Sequence, residues 1–396
     1  MHSCKGPLLD NTQGLFLLYC SRHLNLLILG QMNFGEKNGL RTWIEIDKKA
    51  IKHNYQVLRK SRSPKCLLMA VVKSNAYGHS LLDFSKNISA LGVDWFGVDS
   101  VTEAIPLRKA GTKKPILILG YTLPAMMQKA VSNDISLTIS SFESLKVLEK
   151  INGKLKIKIH IKVDTGMHRQ GFLQKDLIQV IEILKKLSKK KSNLVVEGLF
   201  THFASGKDPK NPTFTIDQLK EFEKWRIAFK DAGWKPIVHA SASAGTLLFP
   251  EAHFDMVRLG ISLYGIWPSE EVRLGVESKI SLKPILSWKT LISEIKTVPA
   301  GSKIGYDCTE TLDKETQIAN CPIGYWHGFP RALSSVGYVL VKGKKCKVLG
   351  RVSMDMITID VGDVQNLKVG EEVVVLGKQG REDVTAHDMA IHAGTS

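Results

Sequence analysis

Eight short apolar runs, each followed by a segment with helical periodicity, fill the stretch from Cys66 to Ser262: CLLMAVVK, DWFGVDS, PILILG, DISLTIS, LKIKIHIKVDT, NLVVEGLFTHF, PIVHASAS and DMVRLGIS. Strands apolar on both faces and alternating with helices belong to a parallel sheet covered by helices, and eight such units predict a closed (β/α)8 TIM barrel. The intervening segments, SFESLKVLEKING and TIDQLKEFEKWRIAFKDAGW among them, carry the 3.6-residue pattern. Ahead of the first run, EIDKKAIKHNYQVLRK offers Asp47 as an N-cap and Ile51, Tyr55 and Leu58 on one helical face. The rival, an open doubly wound sheet, lacks its signature, since no run is followed by GxGxxG. Beyond Gly275 the texture changes to ILSWKTLISEIKTV, KVLGRVSMDMITIDV and EEVVVLGKQG, valine- and isoleucine-rich and punctuated by turns such as PAGSKIGYD. The sequence thus divides into a barrel over residues 40–275, a mainly β domain over 276–396, and an N-terminal extension over 1–39 that is left out of the fold.

The chain has 396 residues, 43% of them hydrophobic, enough for two or three domains with a large core. Its 55 basic residues outnumber 38 acidic ones, a net charge of +17. The lysines are dispersed in solvated faces such as LKKLSKKKSN without interleaved aromatics, so no nucleic-acid partner is expected. Six widely separated cysteines form no CxxC pair or metal-binding spacing, which points to a reducing compartment, the cytoplasm, and to no metal. The segment GLFLLYCSRHLNLLILG is broken by Ser21, Arg22, His23 and Asn25, so it predicts no membrane span. It carries no clear signal-peptide cleavage site either, and a true start at Met32 is an equal reading.

In a barrel of this kind the functional residues lie at the carboxyl ends of the strands. By that rule Lys73 ending the first run, Asp164, Met167 and Arg169 following the fifth strand, His202 ending the sixth, Ser241 and Ser243 ending the seventh, and Arg258, Gly260 and Ile261 on or after the eighth share one mouth. Singly, each has an ordinary structural explanation: a surface lysine, a core histidine, a small-residue turn. Jointly, hydroxyls and glycine-freed N–H groups after the last two strands suit a phosphate. A buried lysine facing that phosphate, made nucleophilic by desolvation, suits an aldehyde. Pyridoxal 5'-phosphate carries both groups.

From Leu40 to its last residue the chain resembles the alanine racemase family, pyridoxal-phosphate enzymes of fold type III. AVVKSNAYGH is similar to the family's cofactor-lysine motif, which implies Lys73 as the Schiff-base residue and Tyr77 as a phosphate ligand. KVDTGMHRQGF resembles the segment whose arginine, here Arg169, touches the substrate carboxylate and the cofactor's phenolic oxygen, braced by a lysine, here Lys162, that is often carbamylated. The resemblance also implies that His202 in THFAS stacks on the cofactor ring and stands beside Tyr306, with Arg258 and His239 behind, that Ser243, Gly260 and Ile261 bind phosphate, and that Arg258 in MVRLGISLYG faces the pyridine nitrogen. An arginine keeps its protons, so the ring nitrogen stays unprotonated and the cofactor is a weaker electron sink, which favours reprotonation over transamination. Two bases are needed on opposite faces: Lys73 and, from GSKIGYDCT, Tyr306 reaching the site of a second subunit. PIGYWHGFPR carries Tyr325, and GRVSMDMITID carries Met354 and Asp355, all placed by the resemblance near the substrate or the entrance. The implied assembly is a homodimer with shared active sites, and the implied task is interconversion of L- and D-alanine for peptidoglycan.

The chain departs from the family pattern at Ala242, where an asparagine is common, and at Trp326 and His327. It also stops at Ser396, short of the family's last segment with its additional phosphate-binding tyrosine, so the β domain reads as truncated. That leaves open a weakly catalytic or non-catalytic pyridoxal-phosphate protein, or a racemase for serine or another small amino acid. A decarboxylase on a related architecture would carry a glutamate where Arg258 stands.

Overall fold

The computed structural model describes residues 39–208 and 210–395, together with the backbone of 25–29. Two compact units emerge, residues 49–283 and a second made of 1–48 with 284–396.

The first unit is the barrel that the eight apolar runs predict. Its strands are β1 (Leu67–Val71), β2 (Trp95–Val98), β3 (Ile116–Ile118), β4 (Ser136–Ile139), β5 (Ile157–Lys162), β6 (Leu194–Phe200), β7 (Ile237–His239) and β8 (Met256–Leu259). All pair in parallel in the order β8-β1-β2-β3-β4-β5-β6-β7. The seam between β7 and β8 is drawn together by Asp255 N–H donating to Val238 O and Arg258 N–H to Ser241 O, both 3.0 Å, while the Asp255 carboxylate accepts from Val238 N–H at 2.8 Å. Strand residues are buried on both faces: Leu68, Met69 and Ala70 in β1 and Ile116, Leu117 and Ile118 in β3, consecutive along each strand, have no exposure. Each large aliphatic so buried contributes about 1.5–3 kcal/mol. The helices bury one stripe each, Ala50, Ile51, Asn54, Tyr55 and Leu58 in Lys48–Ser61, and Phe222, Trp225 and Phe229 in Thr213–Asp231.

The second unit is built on a ten-stranded sheet. Its strands from the C-terminal part of the chain include Leu286–Leu291, Glu294–Val298, Thr316–Cys321, Tyr338–Val341, Lys344–Leu349, Ile357–Asp360 and Glu372–Gln379. The sheet also takes in Thr42–Asp47, which pairs antiparallel with Leu286–Leu291, and Asn25–Leu29, parallel to Thr42–Asp47. The barrel unit therefore begins at Lys49 and not at Leu40. TWIEID is buried at four consecutive residues, Trp43 to Ile46, so both of its faces are covered, and its ladder hydrogen bonds are met by Leu286–Leu291. A strand also lies within the excluded extension, at Asn25–Leu29, while the other residues before Gly39 are outside the described residues.

Candidate active site

Lys73 follows β1 after one residue and opens an unusual turn. Ser74, Asn75, Ala76 and Tyr77 all have φ of 55°, one turn of left-handed helix without a glycine, and Gly78 ends it at φ 85°. Such a conformation costs about 1–2 kcal/mol per residue and persists only where its surroundings impose it. Here they do. The Glu103 carboxylate accepts from Asn75 N–H at 3.2 Å and Asp99 N–H at 2.9 Å, and Asn75 Oδ1 accepts from Leu81 N–H at 2.8 Å. His79 Nδ1 lies 3.0 Å from Ala76 O and 2.9 Å from Tyr77 O, so it donates to them; burial pulls this imidazole down to about 4, and it is neutral. Tyr264 packs against Tyr77, His79 and Phe84 with centroids 4.6–4.8 Å apart and donates its hydroxyl to Val71 O at 3.0 Å. The turn thus aims Lys73 and Tyr77 from one rigid base.

A cavity of about 540 Å³ opens at the carboxyl ends of the strands, and Lys73, Tyr77, Arg169, His202, Ser243, Arg258, Gly260 and Ile261 all line it. Every barrel residue singled out from the sequence as a cofactor or catalytic group is therefore brought to one place. Lys73 is half-buried, not fully buried as the aldehyde argument supposed. The deeply buried lysine of the cavity is Lys162, 6% exposed. Burial pulls its amine down to about 8, with Arg169, Arg258 and Lys73 adding to the effect and Asp164 opposing it. Among the described residues, Lys73, Lys162, Arg169, Lys207 and Arg258 face the cavity against a single carboxylate, Asp99. Cations held together away from water repel one another, and an anionic ligand offsets that cost.

At one end of the cavity Ser243 Oγ accepts from Gly260 N–H at 3.2 Å and Ser262 N–H at 3.4 Å, while the buried Ser262 Oγ has no hydrogen-bond partner. A Cβ on Gly260 would stand 2.7 Å from the Tyr77 hydroxyl, so only glycine lets the backbone and the phenol approach together. Hydroxyls of Tyr77 and Ser243 beside a glycine turn fit a phosphate group.

At the other end Arg258, 3% exposed, donates through Nη2 to Thr201 O at 2.8 Å and Ala240 O at 2.7 Å, with His202 Nδ1 at 3.1 Å, and through Nη1 to His239 Nδ1 at 2.9 Å. Burial, with Arg169 adding, lowers its guanidinium to about 9, still charged near neutrality. Because a guanidinium only donates, His202 Nδ1 is an acceptor and its proton sits on Nε2. Burial, then Arg258, Arg169, Lys162 and Lys73, hold His202 down to about 3, so it is neutral.

The reading of the sequence missed two groups in this site. Gln170 accepts from Lys162 Nζ at 2.9 Å and donates to Ser140 Oγ at 3.0 Å. Phe200, 2% exposed, lies under both Lys162 Nζ and the Arg258 guanidinium at 5.6 and 5.3 Å and stacks on His239 at 4.6 Å. Gln170 adjoins Arg169 in RQGF and was within reach of inspection, but Phe200 reads as plain core.

Tyr306, Tyr325, Met354 and Asp355 belong to the second unit, on loops that pack together. Tyr325 N–H donates to Ser353 O at 3.1 Å and Trp326 N–H to Met354 O at 3.0 Å. A Cβ on Gly324 would meet Ser353 O at 2.2 Å, and one on Gly350 would meet Ile304 O at 2.6 Å, so both glycines are required by the close approach of these loops. Tyr306 and Met354 are 68% and 52% exposed at this edge.

Comparison with known proteins agrees with this geometry. Residues 46–268 match the model of the alanine racemase N-terminal domain, and residues 285–396 that of the C-terminal domain. The alanine racemase of Methanococcus maripaludis is 43% identical over 89% of this chain and 93% of its own length. That of Symbiobacterium thermophilum is 39% identical over 90% and 93%. The crystal structure of the Bacillus anthracis alanine racemase with bound L-Ala-P superposes with a TM-score of 0.83 at 34% identity, covering 90% of each chain. The E. faecalis alanine racemase gives 0.82 at 32%, covering 90% of this chain and 93% of that one. The chain belongs to the alanine racemase family of isomerases.

Proposed function

We propose that the chain interconverts L-alanine and D-alanine with pyridoxal 5'-phosphate held in the barrel cavity. The observation that carries this reading is the convergence of Lys73, Tyr77, Arg169, His202, Ser243, Arg258, Gly260 and Ile261 on that cavity, where, among the described residues, five cationic side chains face one carboxylate. Tyr77, Ser243, Gly260 and Ile261 would hold the phosphate, Lys73 the aldehyde carbon, Arg258 the ring nitrogen and His202 one face of the ring. When bound, the cofactor supplies the electron sink that makes the α-hydrogen of the amino acid removable.

Everything else falls to side chains of the protein. Arg169, which lines the cavity, would bind the substrate carboxylate and so hold the amino acid in one orientation. Arg258, held by four partners and still protonated near neutrality, would leave the ring nitrogen without a proton and so favour return of the proton to the substrate carbon. Lys73 takes or returns the proton on one face, and the partner subunit's Tyr306 serves the other, in a homodimer whose active sites are shared. Tyr325, Met354 and Asp355 shape the entrance. Lys162, an amine pulled down to about 8, is nucleophilic enough to take up carbon dioxide, releasing a proton, and the carbamate would brace Arg169. No described helix is long and apolar enough to cross a membrane. The reading places the enzyme in the cytoplasm, making D-alanine for peptidoglycan.

The test is chiral chromatography of alanine after incubating purified protein and pyridoxal phosphate with the L enantiomer. D-alanine should form, and Lys73→Ala should abolish both its formation and the visible absorbance of the bound cofactor. Racemisation that survives Lys73→Ala would overturn the assignment of the base.

A further inference from the structure

Behind Arg258 the barrel interior contains a line of polar groups, none of which lines the cavity. His239 Nε2 lies 2.9 Å from His160 Nδ1, and His160 Nε2 lies 3.3 Å from Glu197 Oε2, which also accepts from the Ser136 hydroxyl. His160 and His239 have no solvent exposure, and the Glu197 side chain is 17% exposed. Polar side chains are costly in such a place unless each proton has a destination.

The backbone is adapted to hold them. Between Ile159 and His160 the register of β5 on β6 shifts, so that Ile159 faces Val196 and His160 faces Gly198, with Glu197 the extra residue. A bulge of this kind re-aims a side chain, and here it gives His160 its carboxylate partner. Gly198 is glycine because a Cβ there would sit 2.0 Å from His160 Nδ1. Trp95 closes on the same imidazole edge-on at 5.4 Å.

The direction of every hydrogen bond in the line follows from its two ends. A guanidinium only donates, so His239 Nδ1 accepts from Arg258 and the His239 proton is on Nε2. That proton is donated to His160 Nδ1, which places the His160 proton on Nε2. A carboxylate only accepts, so Glu197 receives it. A second proton on either ring would set donor against donor. Burial lowers both histidines, and for Glu197 burial is outweighed by the bonds from His160 and Ser136 and by nearby Lys158, leaving its carboxyl below the ordinary value. The contact of His160 with Glu197 is thus a neutral N–H on a carboxylate.

The geometry points to Glu197 as a positioning residue that, with Arg258 at the opposite end of the line, fixes which nitrogen of His160 and of His239 carries the proton and so helps to hold Arg258 in place. The effect on turnover rests on the racemase reading, but the proton positions do not. With Glu197→Leu, Arg258 still favours the same tautomers, but His160 Nε2–H is left buried without an acceptor, a cost that weakens the preference for this arrangement along the line. Glu197→Gln keeps an acceptor oxygen at the same place.

Neutron diffraction from crystals of the full chain grown in heavy water tests this directly. Deuterium is expected on Nε2 and absent from Nδ1 of both His160 and His239. Deuterium on Nδ1 of either ring overturns the proposal, whatever the enzyme catalyses. In turnover, Glu197→Leu is expected to lower kcat about tenfold or more with KM little changed, and Glu197→Gln to recover most of that loss. Equal losses in the two variants, or none in Glu197→Leu, overturn it too. A Glu197→Leu protein that fails to fold leaves the deuterium positions to decide.

Discussion

At the scale of single residues the site is dominated by charge held away from water. Lys162 is the sharpest case, since an unfolded chain keeps a lysine charged to about 10.5 whereas this one is pulled down to about 8. Between those values the unfolded chain binds more protons, so this residue makes stability rise with pH across that window, while at pH 7 its full penalty is present. Lys162→Met is expected to raise the unfolding free energy at pH 7 by about 2 kcal/mol, net of the lost bond to Gln170, and the gain should shrink as pH rises toward 10. Urea melts in carbon-dioxide-free buffer, without added cofactor, measure both. Residues of this kind were legible in the sequence as types at strand ends: Lys73, Arg169, His202 and Arg258 each follow or end an apolar run. Of the line behind Arg258, His239 was named through the family resemblance, but His160 and Glu197 were not legible. In KIHIK the histidine alternates with isoleucines, which marks it as facing the barrel interior, but its partner is supplied by a bulge that no pattern of apolar residues reveals.

At the scale of elements, the strand-to-helix connection after β1 departs furthest from local preference. Four consecutive residues at φ 55° are disfavoured in any isolated peptide, so the turn belongs to its surroundings, chiefly Glu103 and the aromatic group around Tyr264. Glu103→Ala removes the carboxylate that accepts from Asn75 and Asp99, and is expected to cost about 2 kcal/mol in a chemical melt. Cofactor affinity should fall with it, because Lys73 and Tyr77 sit at the two ends of the turn. The eight barrel strands themselves were readable, since burial on both faces leaves continuous apolar runs that survive any local irregularity. Thr42–Asp47 was not separated from the barrel, because a short strand followed by an amphipathic helix looks like one more βα unit until its partner is known.

At the scale of the whole molecule, the reading of a shared site makes a prediction no single chain can satisfy alone. Subunits bearing Lys73→Ala and subunits bearing Tyr306→Phe, each inactive, should recover racemisation when mixed under conditions that exchange subunits. Random pairing would restore one intact site in each mixed dimer, about a quarter of the wild-type rate. No recovery despite exchange, demonstrated by mass spectrometry of differently tagged chains, would place both bases in one subunit. The strand-rich unit is assembled from both sides of the barrel in the chain, since Thr42–Asp47 pairs with Leu286–Leu291. On the ribosome, Thr42–Asp47 emerges first and must wait while the entire barrel is made, roughly ten to fifty seconds at ordinary elongation rates. During that interval the nascent protein displays an unpaired strand edge, a natural target for a chaperone, and a messenger cut just after the barrel would yield a polypeptide whose edge is never closed.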